Sequence, residues 1–245
     1  MITKNGLIIG VTELEDKGRY LRVLTADGVH EVYVRGAKKI TSKNNAGTEI
    51  FCFSKLCATP GKNGLVLDSS EPARQFYNLR FDIKKLALAN YFAEVIIHNG
   101  IGIDSDEKKG ETLNLFLLCL HYLDAGNRET ALIKSVFELR YACEIGFMPR
   151  LIGCDVCHKY DEGLTFILQS GKLLCAEHLR ENKGYPLSPA VLHAIRFVCL
   201  SELKKICDFK LSNEAERELA VISENYLTCH TEKHLKSLSY YNRLS

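Results

Sequence analysis

Between Gly153 and His178 the chain reads GCDVCHKYDEGLTFILQSGKLLCAEH, with two pairs of metal-capable side chains, Cys154-x2-Cys157 and Cys175-x2-His178, separated by seventeen residues. A two-residue gap lets both members of a pair converge on one ion, and three thiols with one imidazole are the donor set of a closed tetrahedral zinc site. Between the pairs, Leu164 to Leu168 alternates like a strand, Ser170-Gly171 turns, and Lys172-Leu173-Leu174 returns, which is the hairpin of a zinc ribbon. The pattern predicts one structural zinc per chain, held by Cys154, Cys157, Cys175 and His178 in an insertion at about residues 150–182. Metal binding of the order of 10–16 kcal/mol would fold a lobe too small to hold a core of its own.

Other chemistries fit less of the pattern. Cys154-Asp-Val-Cys157-His158 spells a covalent haem attachment, but that reading leaves Cys175 and His178 unexplained and offers only Met148 as an internal methionine ligand. A catalytic zinc keeps one position open for water, whereas four protein ligands close it. A redox role for Cys154 and Cys157 lacks a thioredoxin-like setting. His158 is a second imidazole able to replace His178 as fourth ligand; it reads more readily as a surface residue.

The remaining chain limits the setting. Its 245 residues suffice for one large or two small domains, and a formal charge of +2 demands neither nucleic acid nor membrane, so any basic surface must be local. No run approaches the roughly 20 apolar residues of a membrane span. Met1-Ile2-Thr3-Lys4 leads into a strand-like run without an export signal, so a cytoplasmic protein is expected. Of ten cysteines, Cys52, Cys57, Cys119, Cys143, Cys199 and Cys207 sit singly in apolar patterns and read as buried reduced thiols, as does Cys229.

Residues 6 to 69 read as five strands, GLIIGVTEL, GRYLRVLT, VHEVYVRG, GTEIFCFSKLCAT and GLVLDSS, with Asp27-Gly28 marking a tight hairpin and Pro60-Gly61 with Asn63-Gly64 the last turn. Val32 and Val34 fall on one face of the third strand while Glu31, Tyr33 and Arg35 fall on the other. From about Asn78 the period becomes helical through Leu79, Ile83, Leu86, Asn90 and Glu94. LNLFLLCLHYL follows as a buried helix, Glu129 to Glu144 as a third, Ser188-Pro189 opens one through about Cys207, and Ser212 opens another. The fold class is α+β: a five-stranded OB-type barrel over residues 1–77, then a helical domain over 78–245 with the zinc ribbon inserted.

The sharpest charge bias is RGAKKITSKNNA, where Arg35, Lys38, Lys39 and Lys43 occur with no acidic residue from position 32 to 48. Together with Arg19, Arg22 and Tyr33 on the neighbouring strands, these are the candidate contacts to a phosphate backbone and an unpaired base. Arg74, Arg80, Lys84 and Lys85, and a C-terminal run with Lys233, Lys236 and Arg243, are further places for a basic surface. No Walker motif or convincing carboxylate cluster is present; Asp104, Asp106, Glu107 and Glu111 read as a solvated loop.

The stretches GRYLRVLTADGVHEVYVRGAKKITSKN, FDIKKLALANYFAEVI, SVFELRYACEIGFMPRLIGCDVC and YLTCHTEKHLKSLSYYNRL, taken in order, resemble the RecO family of bacterial recombination mediators, and the likeness covers nearly the whole chain. The resemblance implies an OB-fold, a helical domain with an inserted zinc ribbon, binding of single-stranded DNA with double-stranded DNA as a further candidate, and annealing of complementary strands. It also implies cooperation with a ring-forming RecR-type partner and with single-strand-binding protein, whose acidic, apolar-ended tail is expected on the helical domain, to load recombinase during repair. Such a protein is no enzyme, and it is cytoplasmic, joining the nucleoid during repair. The competing readings are a zinc-ribbon protein-binding scaffold and an enzyme acting on nucleic acid. Two departures stand out: family members often carry Cys-x-x-Cys-Gly and a second Cys-x-x-Cys where this chain has His158 and Cys175/His178, and Gly-Glu where it has Gly18-Arg19.

Overall fold

Five antiparallel or crossing strands form a closed barrel in the order β1-β2-β3-β5-β4 in the computed structural model, with β1 at Ile2–Glu13, β2 at Arg19–Thr25, β3 at Gly28–Val34, β4 at Cys52–Gly61 and β5 at Gly64–Gln75. The structure describes residues 1–15, 18–36, 43–62, 64–100, 110–160, 163–180, 184–231 and 235–244. The β2–β3 hairpin keeps strict register from Thr25↔Gly28 to Arg19↔Val34, and the barrel closes through a short parallel pairing of β3 with β5 and the antiparallel pairing of β1 with β4. Ile8, Leu21, Val23, Val32, Val34, Leu56, Ala58 and Leu67 fill the interior. Each larger one contributes roughly 1.5–3 kcal/mol by leaving water.

Leu7 and Ile9 are buried as well as Ile8, which a half-exposed strand would not allow. Helices α1 (Ile83–Asn99) and α2 (Glu111–Ala125) pack on β1, and Phe116 meets both Phe51 and Phe92 edge-on at 6.1 and 6.0 Å. A C-terminal helix absent from the sequence reading, α6 (Lys236–Asn242), returns to α1. Its first backbone N–H groups, on Lys236 and Ser237, donate to the Glu94 carboxylate at 3.3 and 2.9 Å, which gives that polar residue of α1 its partner. By packing, therefore, the first unit comprises Met1–Ala125 with Leu235–Ser245, whereas the boundary expected at residue 77 separates strands from helices.

The second unit, Gly126–His234, holds α3 (Thr130–Glu144), α4 (Pro189–Leu200), α5 (Asn213–Thr231) and a small sheet ordered β6-β8-β7-β9, from Arg150–Cys154, Leu164–Ile167, Lys172–Cys175 and Tyr185–Pro186. Here the FELR run finds its physical role. Phe137 stacks on Tyr141 at 5.5 Å, and Glu138, fully buried, accepts from Lys134 at 2.7 Å and from the Ser223 hydroxyl at 2.7 Å. Arg140 donates to the carbonyls of Cys199 and Ser201 at 3.0 and 3.2 Å. That contact corrects the expected span of α4, which stops at Leu200 instead of about Cys207: Arg140 takes carbonyls that another turn would have used. Ser188 caps the same helix, accepting from the Val191 N–H, with Pro189 in the first turn.

Two further expectations change. Cys229 is exposed, and Cys57 and Cys143 are only half-buried, while Cys52, Cys119, Cys199 and Cys207 are buried thiols. The cysteine lobe also has buried apolar residues of its own, Leu164, Phe166 and Leu173, and α5 anchors Phe166 through Tyr226, whose ring lies 5.1 Å from it and whose hydroxyl donates to the Phe147 carbonyl at 2.9 Å. Of the acidic residues between the first two helices, Glu111 opens α2; Asp104, Asp106 and Glu107 lie outside the described residues.

Candidate metal centre and nucleic-acid face

Strand β6 delivers Cys154 and a turn brings Cys157 back beside it; β8 delivers Cys175 and the next turn brings His178. Register places Cys154 opposite Leu173 and Cys175 opposite Leu164, so the two pairs meet at one end of the sheet. The four ligand atoms lie within 4.8 Å of one another. Cys157 Sγ is 3.7 Å from Cys175 Sγ, and His178 Nδ1 is 3.7 and 3.2 Å from the sulfurs of Cys154 and Cys175. A tetrahedron with metal–sulfur arms of about 2.3 Å has edges of about 3.8 Å, so the separations fit one zinc, and they are far too long for a disulfide.

Backbone geometry builds this knuckle. Cys154 N–H donates to the Lys159 carbonyl and Cys154 O accepts from His158 N–H, both at 2.9 Å, folding the turn tightly. Gly153 is required there, since a Cβ would lie 2.6 Å from the Lys159 carbonyl oxygen. Burial pushes the Cys154 thiol up, but N–H groups of Cys157, Cys175 and Val156 converging on its sulfur bring it down to about 6. His178 beside Cys175 lowers that thiol too. Two of the three sulfurs thus favour the thiolate that a metal ligand requires, whereas the Cys157 thiol is raised, its Lys159 N–H contact being outweighed by burial and by its neighbours Cys154 and Cys175, which disfavour a further negative charge.

His158 is not part of the cluster. Its side chain is exposed and its backbone sits at φ 60°, a left-handed conformation that costs most L-residues about 1–2 kcal/mol and histidine somewhat less. This is the position where relatives of the chain were expected to carry glycine. A His158→Gly variant is therefore expected to keep its metal content and gain roughly 0.5–1 kcal/mol in chemical denaturation. Loss of metal in this variant would make His158 a ligand and defeat the assignment.

The residues read as DNA contacts divide. Tyr20 and Tyr33 are register partners on the outer face of β2 and β3, half-buried with ring centroids 5.3 Å apart. Gly18 lies against Tyr33, whose hydroxyl would be 2.5 Å from a Cβ at that position. Arg22 and Arg35 are exposed on the same side, Arg22 facing Glu31 at 3.6 Å, and Lys43 is exposed. Lys38 and Lys39 lie outside the described residues. Arg19 is not a surface cation: it is 8 % exposed, donates to the Thr48 hydroxyl and faces Glu13 at 3.8 Å, so its charge is spent within the barrel wall. Among the described residues no helix is long and apolar enough to cross a membrane.

Comparison with known proteins matches the chain in two consecutive parts. The family profile described as Recombination protein O N terminal matches residues 1–76, and that described as Recombination protein O C terminal matches residues 80–239. A DNA repair protein RecO of Acetivibrio thermocellus is 24% identical over 244 residues, covering 98% of this chain and 96% of its own. Proteins of the same name from Dehalococcoides mccartyi and Exiguobacterium sibiricum are each 26% identical, covering 97% of this chain and 94% and 95% of theirs. With both profiles matched in order over nearly its whole length, the chain belongs to the RecO family.

Proposed function

We propose that this protein is a non-catalytic mediator that binds single-stranded DNA on its barrel, anneals complementary strands and helps load recombinase onto DNA coated by single-strand-binding protein. Membership of the RecO family gives it a role in recombinational repair. The observation that supports the binding step is the outer face of β2 and β3, where a tyrosine pair lies between exposed Arg22 and Arg35 on a closed OB-type barrel. Aromatic rings beside cations suit unpaired bases and their phosphates. A RecR-type ring and the tail of single-strand-binding protein are its proposed partners, and the cytoplasm and nucleoid its proposed place of work. In this reading zinc is structural: Cys154, Cys157, Cys175 and His178 hold it, and it fixes the lobe without taking part in a reaction.

The test is a salt series of oligonucleotide binding and annealing. Each phosphate contact removed lowers the log–log salt slope by about 0.7. The Arg35→Ala/Lys43→Ala variant is expected to flatten the slope by up to about 1.4 on all sequences alike, with its melting temperature unchanged. Tyr33→Ala is expected to weaken binding with little change of slope. An unaltered slope and affinity in the double variant would remove the barrel face from the interface.

A further inference from the structure

The first unit leaves three large apolar side chains bare within seven residues: Tyr77 is 58% exposed, Phe81 87% and Ile83 60%. They lie on the 3-10 turn Tyr77–Phe81 and at the start of α1, well along the chain from the tyrosine pair. Exposed apolar residues scattered singly are ordinary, but a cluster rimmed by charge marks an interaction surface. The rim here is mainly cationic, with the Glu49 carboxylate beside Arg80 and that of Asp124 taken up by the Asn78 N–H. Residues 74 to 85 carry Arg74, Arg80, Lys84 and Lys85 against the single carboxylate of Asp82, and Asp82 is turned back to accept from the N–H groups of Lys84 and Lys85 as the cap of α1.

Cations and rings are also paired in space. The Arg74 guanidinium lies 4.8 Å from the Phe76 ring centroid, that of Arg80 lies 6.0 Å from Tyr77, and the Lys84 ammonium lies 6.0 Å from Tyr241 on α6. Arg80 has Glu49 at 3.6 Å and Arg74 has His121 Nδ1 at 2.9 Å, contacts that hold each guanidinium in place at the surface. Phe81 is different, since nothing covers most of its ring.

We infer that this stretch is a second site for single-stranded nucleic acid, with bases stacking on Phe81 and Tyr77 and phosphates following Arg74, Arg80 and Lys84. A protein-binding surface tends to lose charge from its centre. Here Arg80 directly precedes Phe81 and pairs with Tyr77, which is the combination of π-face and cation that an unpaired nucleotide needs. The inference rests on the DNA-binding reading above and extends it. A unit with two strand sites can hold two strands at once, so that annealing gains from effective concentration within one complex.

The experiment uses the full chain and an oligothymidylate bearing one 5-iododeoxyuridine, cross-linked by long-wavelength light and mapped by peptide mass spectrometry. Cross-links are expected at Tyr77 or Phe81 in addition to the barrel face. The Tyr77→Ala/Phe81→Ala variant is expected to bind the oligonucleotide about tenfold more weakly, with an unchanged salt slope and melting temperature, and Phe81→Trp to bind at least as well as the parent. Cross-links confined to β2 and β3, with parental affinity in the double variant, would overturn the second site and leave the barrel reading standing. A parent chain that binds no oligonucleotide would overturn both.

Discussion

The parent purified without chelator is expected to carry about one zinc per chain, and the Cys157→Ser variant is expected to emerge without it. Three thiols and His178 Nδ1 already stand near the corners of a tetrahedron, so the ion has only to replace protons and water. In isolated zinc-dependent peptides such a site supplies of the order of 10–16 kcal/mol, and folding is lost without it. Here the effect is expected to be local and large. Phe166 stays anchored on Tyr226 of α5, so the unfolding is expected to fall on the two turns that carry Cys154 to Cys157 and Cys175 to His178. Metal analysis and limited proteolysis check both points: the variant is expected to be cut within residues 154–178 where the parent resists. Cobalt substitution adds a spectroscopic check, because three thiolates and one imidazole give intense tetrahedral bands that His178→Ala alters. A metal-free parent that resists cleavage in this segment would defeat the assignment.

Loss of Lys134 is the second large effect. The residue is 3% exposed and its ammonium lies 2.7 Å from Glu138 and 2.8 Å from Glu224, while Glu138 is fully buried and is held also by Ser223. Lys134→Met leaves a buried carboxylate without its cation and is expected to cost about 3–5 kcal/mol in urea denaturation. Adding Glu138→Leu is expected to recover most of that, since removing both charges abolishes the desolvation of either. A single-variant cost below about 1 kcal/mol would mean that water reaches the pair. Burial alone would lower the lysine pKa, yet the two carboxylates outweigh it and raise it. A base raised on folding stabilises fully below its unfolded pKa and less as pH climbs through the folded one. The contribution is therefore expected to be constant through neutrality and to fade only above the ordinary lysine value of about 10.4.

Much of the molecule was written locally. Turn residues and alternating valines defined the β2–β3 hairpin, and the Cys-x2-Cys and Cys-x2-His spacing picked out the four side chains that the fold brings together, because each pair is confined to one turn. The choice between His158 and His178 was not local. It depended on β6 and β8 meeting in register, which leaves the His158 side chain outside the cluster and turns His178 Nδ1 toward two sulfurs.

Other features were invisible for the same reason. Arg19 follows Gly18 in a basic hairpin and has the composition of a DNA contact, but Thr48, far along the chain, takes up its guanidinium. The backbone turns extended at Ser201, and the carbonyls left at that end of α4 are taken up by Arg140 of another helix. The C-terminal helix depends on Glu94, more than a hundred residues before it. Sequence by itself determined most of the elements, the turns and the three cysteines of the candidate metal cluster, since these follow from periodicity and from contacts within a few residues. Tertiary structure alone decided which charges are buried, where helices stop and which histidine joins the cysteines, because a hydrogen bond or ion pair between distant segments has no local signature until the chain has closed.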